Sequence, residues 1–194
     1  VIEKSGPPEN LVNEIDAIRK TREIISGFEN YSVPLQVGCL EIEDAPRYIM
    51  EYASGDLLSD RIIAREASVE DFCLVAGYMG LINARLEPKT RSERNYNKTI
   101  EDRLRESGVP EIVVQRVSKN LYPAIHSLTG IVRVCNRDGH PRNWIMDEFG
   151  GVVALDLEAE RVVPITFDPA NLLDQYDYLT EKDKDEVLAV HIES

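Results

Sequence analysis

Between Ile131 and Glu158 the chain reads IVRVCNRDGHPRNWIMDEFGGVVALDLE, with Asp138, then Asn143 five residues on, then Asp156 thirteen beyond that. Apolar runs flank the polar turn that holds the first two. The pattern predicts a strand, a turn, a hairpin through Glu148-Phe149-Gly150-Gly151, and a second strand ending in Asp156-Leu157-Glu158. That layout brings three oxygen-bearing side chains to one end of a small sheet. Mg²⁺ takes oxygen ligands and is usually held by one or two carboxylates plus substrate phosphates. A carboxylate without metal duty then remains to orient an attacking hydroxyl. The set fits phosphoryl transfer, where positioning and charge neutralisation supply most of the catalysis.

The elements that must position these groups follow from periodicity. Val1–Ser5 reads as the end of a strand, broken by Gly6-Pro7-Pro8. Glu9–Ile25 carries Leu11, Val12, Ile15, Ile18, Ile24 and Ile25 at helical spacing, with Asn10 as the expected cap. Tyr31–Ile42 reads as one strand after Pro34 and Arg47–Tyr52 as another, with Asp44-Ala45-Pro46 as the turn between them. The composition then turns helical, over Asp56–Arg65, Val69–Arg85, Lys98–Ser107 and Pro110–Leu128. The basic loop Pro88–Tyr96, with Lys89, Arg91 and Arg94, is expected to be solvated. Short helices near Ala170–Tyr178 and Glu181–Ile192 complete the chain. The expected class is α+β: a small β-rich lobe over residues 1–53, a mainly helical lobe over 54–194, and a hinge near Glu51–Ser54. Ligand sites favour such lobe boundaries.

Composition narrows the function classes. The net charge of −13 over 194 residues argues against a nucleic-acid binder, which needs a basic footprint. Such a field suits a cationic small substrate, but solubility is the plainer reading. Cys39, Cys73 and Cys135 are scattered, with no CxxC pair, so free buried thiols are expected rather than disulfides or a zinc site. No apolar run approaches a membrane span, and the opening VIEKSGPP lacks a signal-peptide pattern. The expected compartment is the cytoplasm, with no membrane partner. Oligomeric state leaves no trace in the sequence.

The run Asn136-Arg137-Asp138-Gly139-His140-Pro141-Arg142-Asn143 resembles the catalytic loop of protein-kinase-like phosphotransferases. Its Asp-x-His-Pro-x-Asn form is closest to the aminoglycoside phosphotransferase and choline kinase branch, and to small archaeal and bacterial kinase-like proteins. Ala154-Leu155-Asp156-Leu157-Glu158 resembles the metal-binding Asp-Phe-Gly position of that superfamily, and RYIMEYASGDLL, residues 47–58, its strand, hinge and following helix. The resemblance implies ATP and Mg²⁺ as cofactors, with Asp138 taking the acceptor proton and Asn143 and Asp156 holding the metal. Lys4 matches the phosphate-binding lysine and Glu14 its helix partner, while the backbone at Glu51 and Ala53 would meet the adenine edge. His140 would touch the γ-phosphate or bond within its own loop, two readings that stay open. Asp168 resembles the aspartate that begins the helix behind the catalytic loop. Glu158 is read as a salt-bridge partner ahead of a metal ligand, Arg137 as a brace of the loop, and Trp144 as core.

Two departures from the pattern shape the functional expectation. No Gly-x-Gly-x-x-Gly loop occurs, so the expected N-lobe is truncated, starting at the strand that bears the lysine. Asp156 to Asp168 is short, without Ala-Pro-Glu or a Ser/Thr-rich activation loop, which favours a small-molecule acceptor or an atypical protein kinase. The leading expectation is an ATP-dependent, magnesium-requiring transfer of the γ-phosphate to a hydroxyl of a small molecule or protein. The alternative is a pseudokinase or interaction module of the same fold, without turnover. A metal-dependent phosphohydrolase ranks third, since it would want more carboxylates or histidines at the turn.

Overall fold

The computed structural model describes residues 2–5, 8–42, 45–86, 93–128, 132–135, 139–157, 161–164, 167–174 and 178–194. Its interior is organised on α3 (Val69–Arg85), which buries Phe72, Val75, Ala76, Met79 and Ile82 at helical spacing. A capping box starts this helix: the Asp71 amide donates to Ser68 Oγ at 3.3 Å, and the Ser68 amide to Asp71 Oδ2 at 2.8 Å. The opposite side of α3 is also covered, by α7 (Glu181–Glu193). Gly80 permits that approach, because a Cβ there would stand 2.4 Å from the His191 carbonyl oxygen. His191 is buried in the joint, its Nδ1 3.1 Å from the Ala76 carbonyl oxygen, so that nitrogen carries the proton.

One sheet has the order β1-β4-β3, all antiparallel, from Ile2–Ser5, Ala45–Met50 and Gln36–Ile42. Helix α1 (Pro8–Ile25) accompanies it, burying Ala17, Ile18, Thr21 and Ile25. A second sheet has the order β2-β8-β7-β5, from Tyr31–Ser32, Val152–Ala154, Trp144–Met146 and Asp56–Leu57. β6 (Val132–Cys135) and β9 (Arg161–Pro164) form an antiparallel pair. Among the described residues the remaining α-helices are α2 (Leu58–Ala64), α4 (Glu93–Glu106), α5 (Glu111–Leu128) and α6 (Phe167–Leu173). The class is α+β, with a small β-rich part and a larger helical part, as expected. Among the described residues no helix is long and apolar enough to cross a membrane.

Several boundaries differ from the sequence expectation for identifiable reasons. The stretch Tyr31–Ile42, read as one strand after Pro34, holds two: β3 follows the proline as expected and Tyr31–Ser32 precedes it, since proline has no amide to offer a ladder. Its first piece pairs parallel with β8 and its second antiparallel with β4, so the two halves serve different sheets. Ala45 and Pro46, expected in a turn, sit in β4 opposite Ile42 and Glu41. Helix α1 begins at Pro8, which places Asn10 inside it rather than at its cap. Asp56-Leu57 pairs with β7 before α2 begins, and α6 starts at Phe167, ahead of Ala170. Glu93–Tyr96 belongs to α4 instead of the loop before it.

An aromatic chain ties these parts together. Phe28 stacks on Tyr31 at 5.9 Å between centroids, Tyr31 meets Tyr78 edge-on at 5.2 Å, and Tyr78 meets Trp144 edge-on at 5.3 Å. Trp144 is 1% exposed, so the core role expected for it holds. Because Trp144 follows Asn143 directly, this packing also anchors the turn that carries the candidate metal ligand. Cys73 is a half-buried free thiol whose pKa burial pushes up, which suits a packing residue better than a nucleophile.

Candidate functional site

Asn143 closes a 3₁₀ turn, Pro141–Asn143, that the sequence specifies locally. Proline at the first position pre-sets the backbone, and His140 caps the turn: its Nδ1 accepts from the Arg142 amide at 3.1 Å. That bond places the proton of the neutral imidazole on Nε2. The Asn143 amide donates to the His140 carbonyl at 2.9 Å, and its carbonyl accepts from the Leu155 amide at 2.7 Å. The last bond ties the turn directly to the segment carrying Asp156.

β7 and β8 pair with Trp144 opposite Ala154 and Met146 opposite Val152. The connecting turn is held by Asp147, whose Oδ1 accepts from the amides of Phe149 at 2.8 Å and Gly151 at 2.7 Å. Beyond β8, Ala154 and Leu157 are 1% and 2% exposed, whereas Asp156 between them is exposed. Asp156 has φ 49°, a left-handed conformation that aspartate tolerates better than branched residues do. Two buried anchors and one reversed backbone step thus turn a single carboxylate outward.

It faces a cleft of about 260 Å³. Asn143, Leu155, Asp156 and Leu157 line one wall, and Glu14 and Ile18 of α1 with Pro34, Met50 and Glu51 line the other. Four of the residues singled out from sequence, Glu14, Glu51, Asn143 and Asp156, therefore meet around one cavity. They come from four separated segments. The Glu51 amide is already bonded to the Leu35 carbonyl at 2.7 Å, which leaves its carbonyl as the group it can offer. Ala53 is half-buried just beyond, and neither it nor His140 lines the cleft.

Lys4 stands opposite Tyr48 in the β1–β4 register, two residues from the Ile2–Met50 pair whose Met50 lines the cleft. Asp138 and Glu158 lie outside the described residues. The neighbour of Asp138 is informative, however. A Cβ on Gly139 would fall 2.0 Å from the Asp168 carbonyl oxygen, so only glycine fits where the loop meets the start of α6. Asp168 is itself 1% exposed there.

Arg142 also lines the cleft and was not singled out from sequence, although it lies inside the motif between Pro141 and Asn143. The apolar lining of Ile18, Pro34 and Leu157 was equally hidden, because it joins residues far apart in the chain. Among the described residues no group of three His, Cys, Asp or Glu side chains forms a metal site. An asparagine and a carboxylate on one cleft wall do fit Mg²⁺ that arrives with phosphate oxygens, because Mg²⁺ completes its shell with phosphates and water.

No protein-family model and no curated protein sequence matches the chain. Solved structures do. An aminoglycoside phosphotransferase from Alicyclobacillus acidocaldarius superposes with a TM-score of 0.62 at 13% identity, covering 98% of this chain and 67% of that one. A spectinomycin phosphotransferase in complex with ADP and spectinomycin gives 0.60 at 9% identity, over 99% and 67% of the two chains. An aminoglycoside phosphotransferase in complex with gentamicin gives 0.58 at 13%, over 93% and 66%. The chain spans about two thirds of the length of these proteins. At such identities the likeness establishes the fold, which is the protein-kinase-like fold in its aminoglycoside phosphotransferase form.

Proposed function

We propose that this chain binds ATP with Mg²⁺ in the cleft and transfers the γ-phosphate to a hydroxyl group. The observation that carries the reading is the convergence of Glu14, Glu51, Asn143 and Asp156 on one cavity. Each alone is an ordinary polar residue. Ile18, Met50 and Leu157 supply apolar surface for a base, and the carbonyl of Glu51 with the amide of Ala53 would meet its polar edge. Lys4, paired with Glu14, would hold the α- and β-phosphates.

Asn143 and Asp156 would hold the metal, whose contribution is to neutralise charge on the β- and γ-phosphates. Asp138 would orient the acceptor hydroxyl and take its proton, a general-base role that demands hydrogen-bond reach to that oxygen. The buried start of α6 against Gly139 would keep the loop from shifting during that transfer. A small-molecule acceptor is favoured over a protein. One fold relative is in complex with gentamicin and another with ADP and spectinomycin, and the segment from Asp156 to Asp168 leaves little chain to bind a peptide. The net charge of −13 suits a cationic acceptor.

Thermal melting with and without ATP and Mg²⁺ tests the binding half. Saturation at about a hundred times Kd should stabilise the fold by about 2.7 kcal/mol, and Asp156→Ala should erase the magnesium-dependent part. Absence of any shift in the wild type sinks the reading. ATP turnover tests the chemistry: Asp138→Asn should fall to background while still binding ATP. Binding without turnover in the wild type would instead assign the chain to the interaction-module class.

A further inference from the structure

The 3₁₀ turn beside the metal-side wall carries a cation with no task in the scheme above. Pro141 is buried and Asn143 half-buried, but Arg142 between them is exposed and lines the cleft. Its backbone is pinned, since its amide donates to His140 Nδ1 and its neighbour's carbonyl is tied to Leu155. A guanidinium leaving a fixed backbone loses less freedom on forming hydrogen bonds than one on a mobile loop.

Its company makes the lack of pairing informative. Glu14, Glu51 and Asp156 line the same cavity, yet Arg142 forms no ion pair among the described residues. Other arginines of this acidic chain do pair: Arg61 with Asp71 at 3.3 Å, and Arg105 with Glu111 at 2.9 Å. The described lining therefore presents three carboxylates and one guanidinium that they do not consume. A nucleotide's phosphate chain brought into such a cleft meets repulsion from the acids, and a guanidinium beside them lowers it further than the metal and Lys4 alone. Arginine offers a planar fork of donors that matches two phosphate oxygens.

We propose that Arg142 is a phosphate-binding residue, its guanidinium taking oxygens of the nucleotide's phosphate chain; this rests on the nucleotide reading above. In that role it discriminates nucleoside polyphosphates from the bare nucleoside. The apolar wall and the backbone of Glu51 bind the base, and Arg142 reads the charge.

Calorimetric titration of the full chain with adenosine, ADP and ATP, without and then with Mg²⁺, provides the test. Arg142→Ala should weaken ADP and ATP about tenfold and adenosine less than about twofold, the loss of one charge-assisted contact. Arg142→Lys should retain part of the affinity. Arg142→Glu should lose more than the alanine variant, because it adds a fourth carboxylate to the lining. Unchanged ATP affinity in Arg142→Ala overturns the proposal while leaving the phosphotransferase reading intact, as does an equal loss for adenosine and ATP. A wild-type chain that binds none of the three ligands overturns that reading and this one together. The side chain is exposed, so all three variants should melt with the wild type, and the titrations then report on the contact alone.

Discussion

The two walls of the cleft are held in different ways. On one, Asn143 and Asp156 flank a hairpin whose strands are buried throughout, and a direct backbone bond from Leu155 to Asn143 links them. Trp144 extends that wall into the aromatic chain of Tyr78 and Tyr31. On the other, Glu14 is half-buried on α1 and Glu51 is exposed at the end of β4. Their positions depend on one buried helix face and on the bond from the Glu51 amide to Leu35. A wall built on a buried hairpin can keep two metal donors in register. A wall built on a helix and strand ends gathers its groups from separate segments, which spreads its contacts along an extended nucleotide.

The largest test of that contrast is Trp144→Ala. Removing a fully buried indole should cost about 3–5 kcal/mol, read by denaturant unfolding, and should take ATP binding with it. A cost under about 1 kcal/mol would remove the rigid wall from the comparison. On the other wall, Ile18→Ala should cost about 2 kcal/mol, the low end for such a truncation, because Ile18 borders the open cleft and water can enter the space left behind. Its effect should appear in adenosine affinity as much as in ATP affinity.

Asp156→Gly sharpens the contrast further. Glycine accepts the positive φ without strain but loosens the unfolded chain, so stability should change by less than about 1 kcal/mol in either direction. The magnesium-dependent melting shift should nevertheless disappear. A large loss of stability would make Asp156 a structural residue instead.

The smallest effect lies away from both walls. Hydrogen bonds from Arg105 hold the Glu111 carboxyl below its ordinary range, and the Thr180 hydroxyl and amide do the same for Asp183. A depressed folded pKa gives stabilisation that is present above the unfolded value, near pH 4, and lost as pH falls through the folded one. Both groups are at the surface, so the melting temperature should decline only slightly on this account. Thr180→Val should flatten the decline at the start of α7. Adenosine affinity should not follow it.

The hairpin was legible because its signals are local: two short apolar runs on either side of a Gly-Gly turn, which Asp147 then holds through the turn amides. Helix α3 was legible for the same reason, its apolar stripe recurring at helical spacing. The break at Pro34 was legible too, but not that Tyr31–Ser32 ahead of it joins another sheet, which only the two partner strands reveal. Arg142 went unnoticed although it lies inside the loop motif, because the resemblance assigned no role to its position.

By itself, the sequence determined which donors exist and their local frames: an asparagine on a proline-led turn, an aspartate after a buried strand, a glutamate on an amphipathic helix. Those depend on backbone preferences and hydrophobic periodicity, which act over a few residues. Only the tertiary structure decided that Glu14, Glu51, Asn143 and Asp156 border one cavity, that Arg142 joins them, and that Gly139 has no room for a side chain. Such meetings depend on burying apolar faces from distant segments together, and the free energy of that burial carries no local mark in the chain.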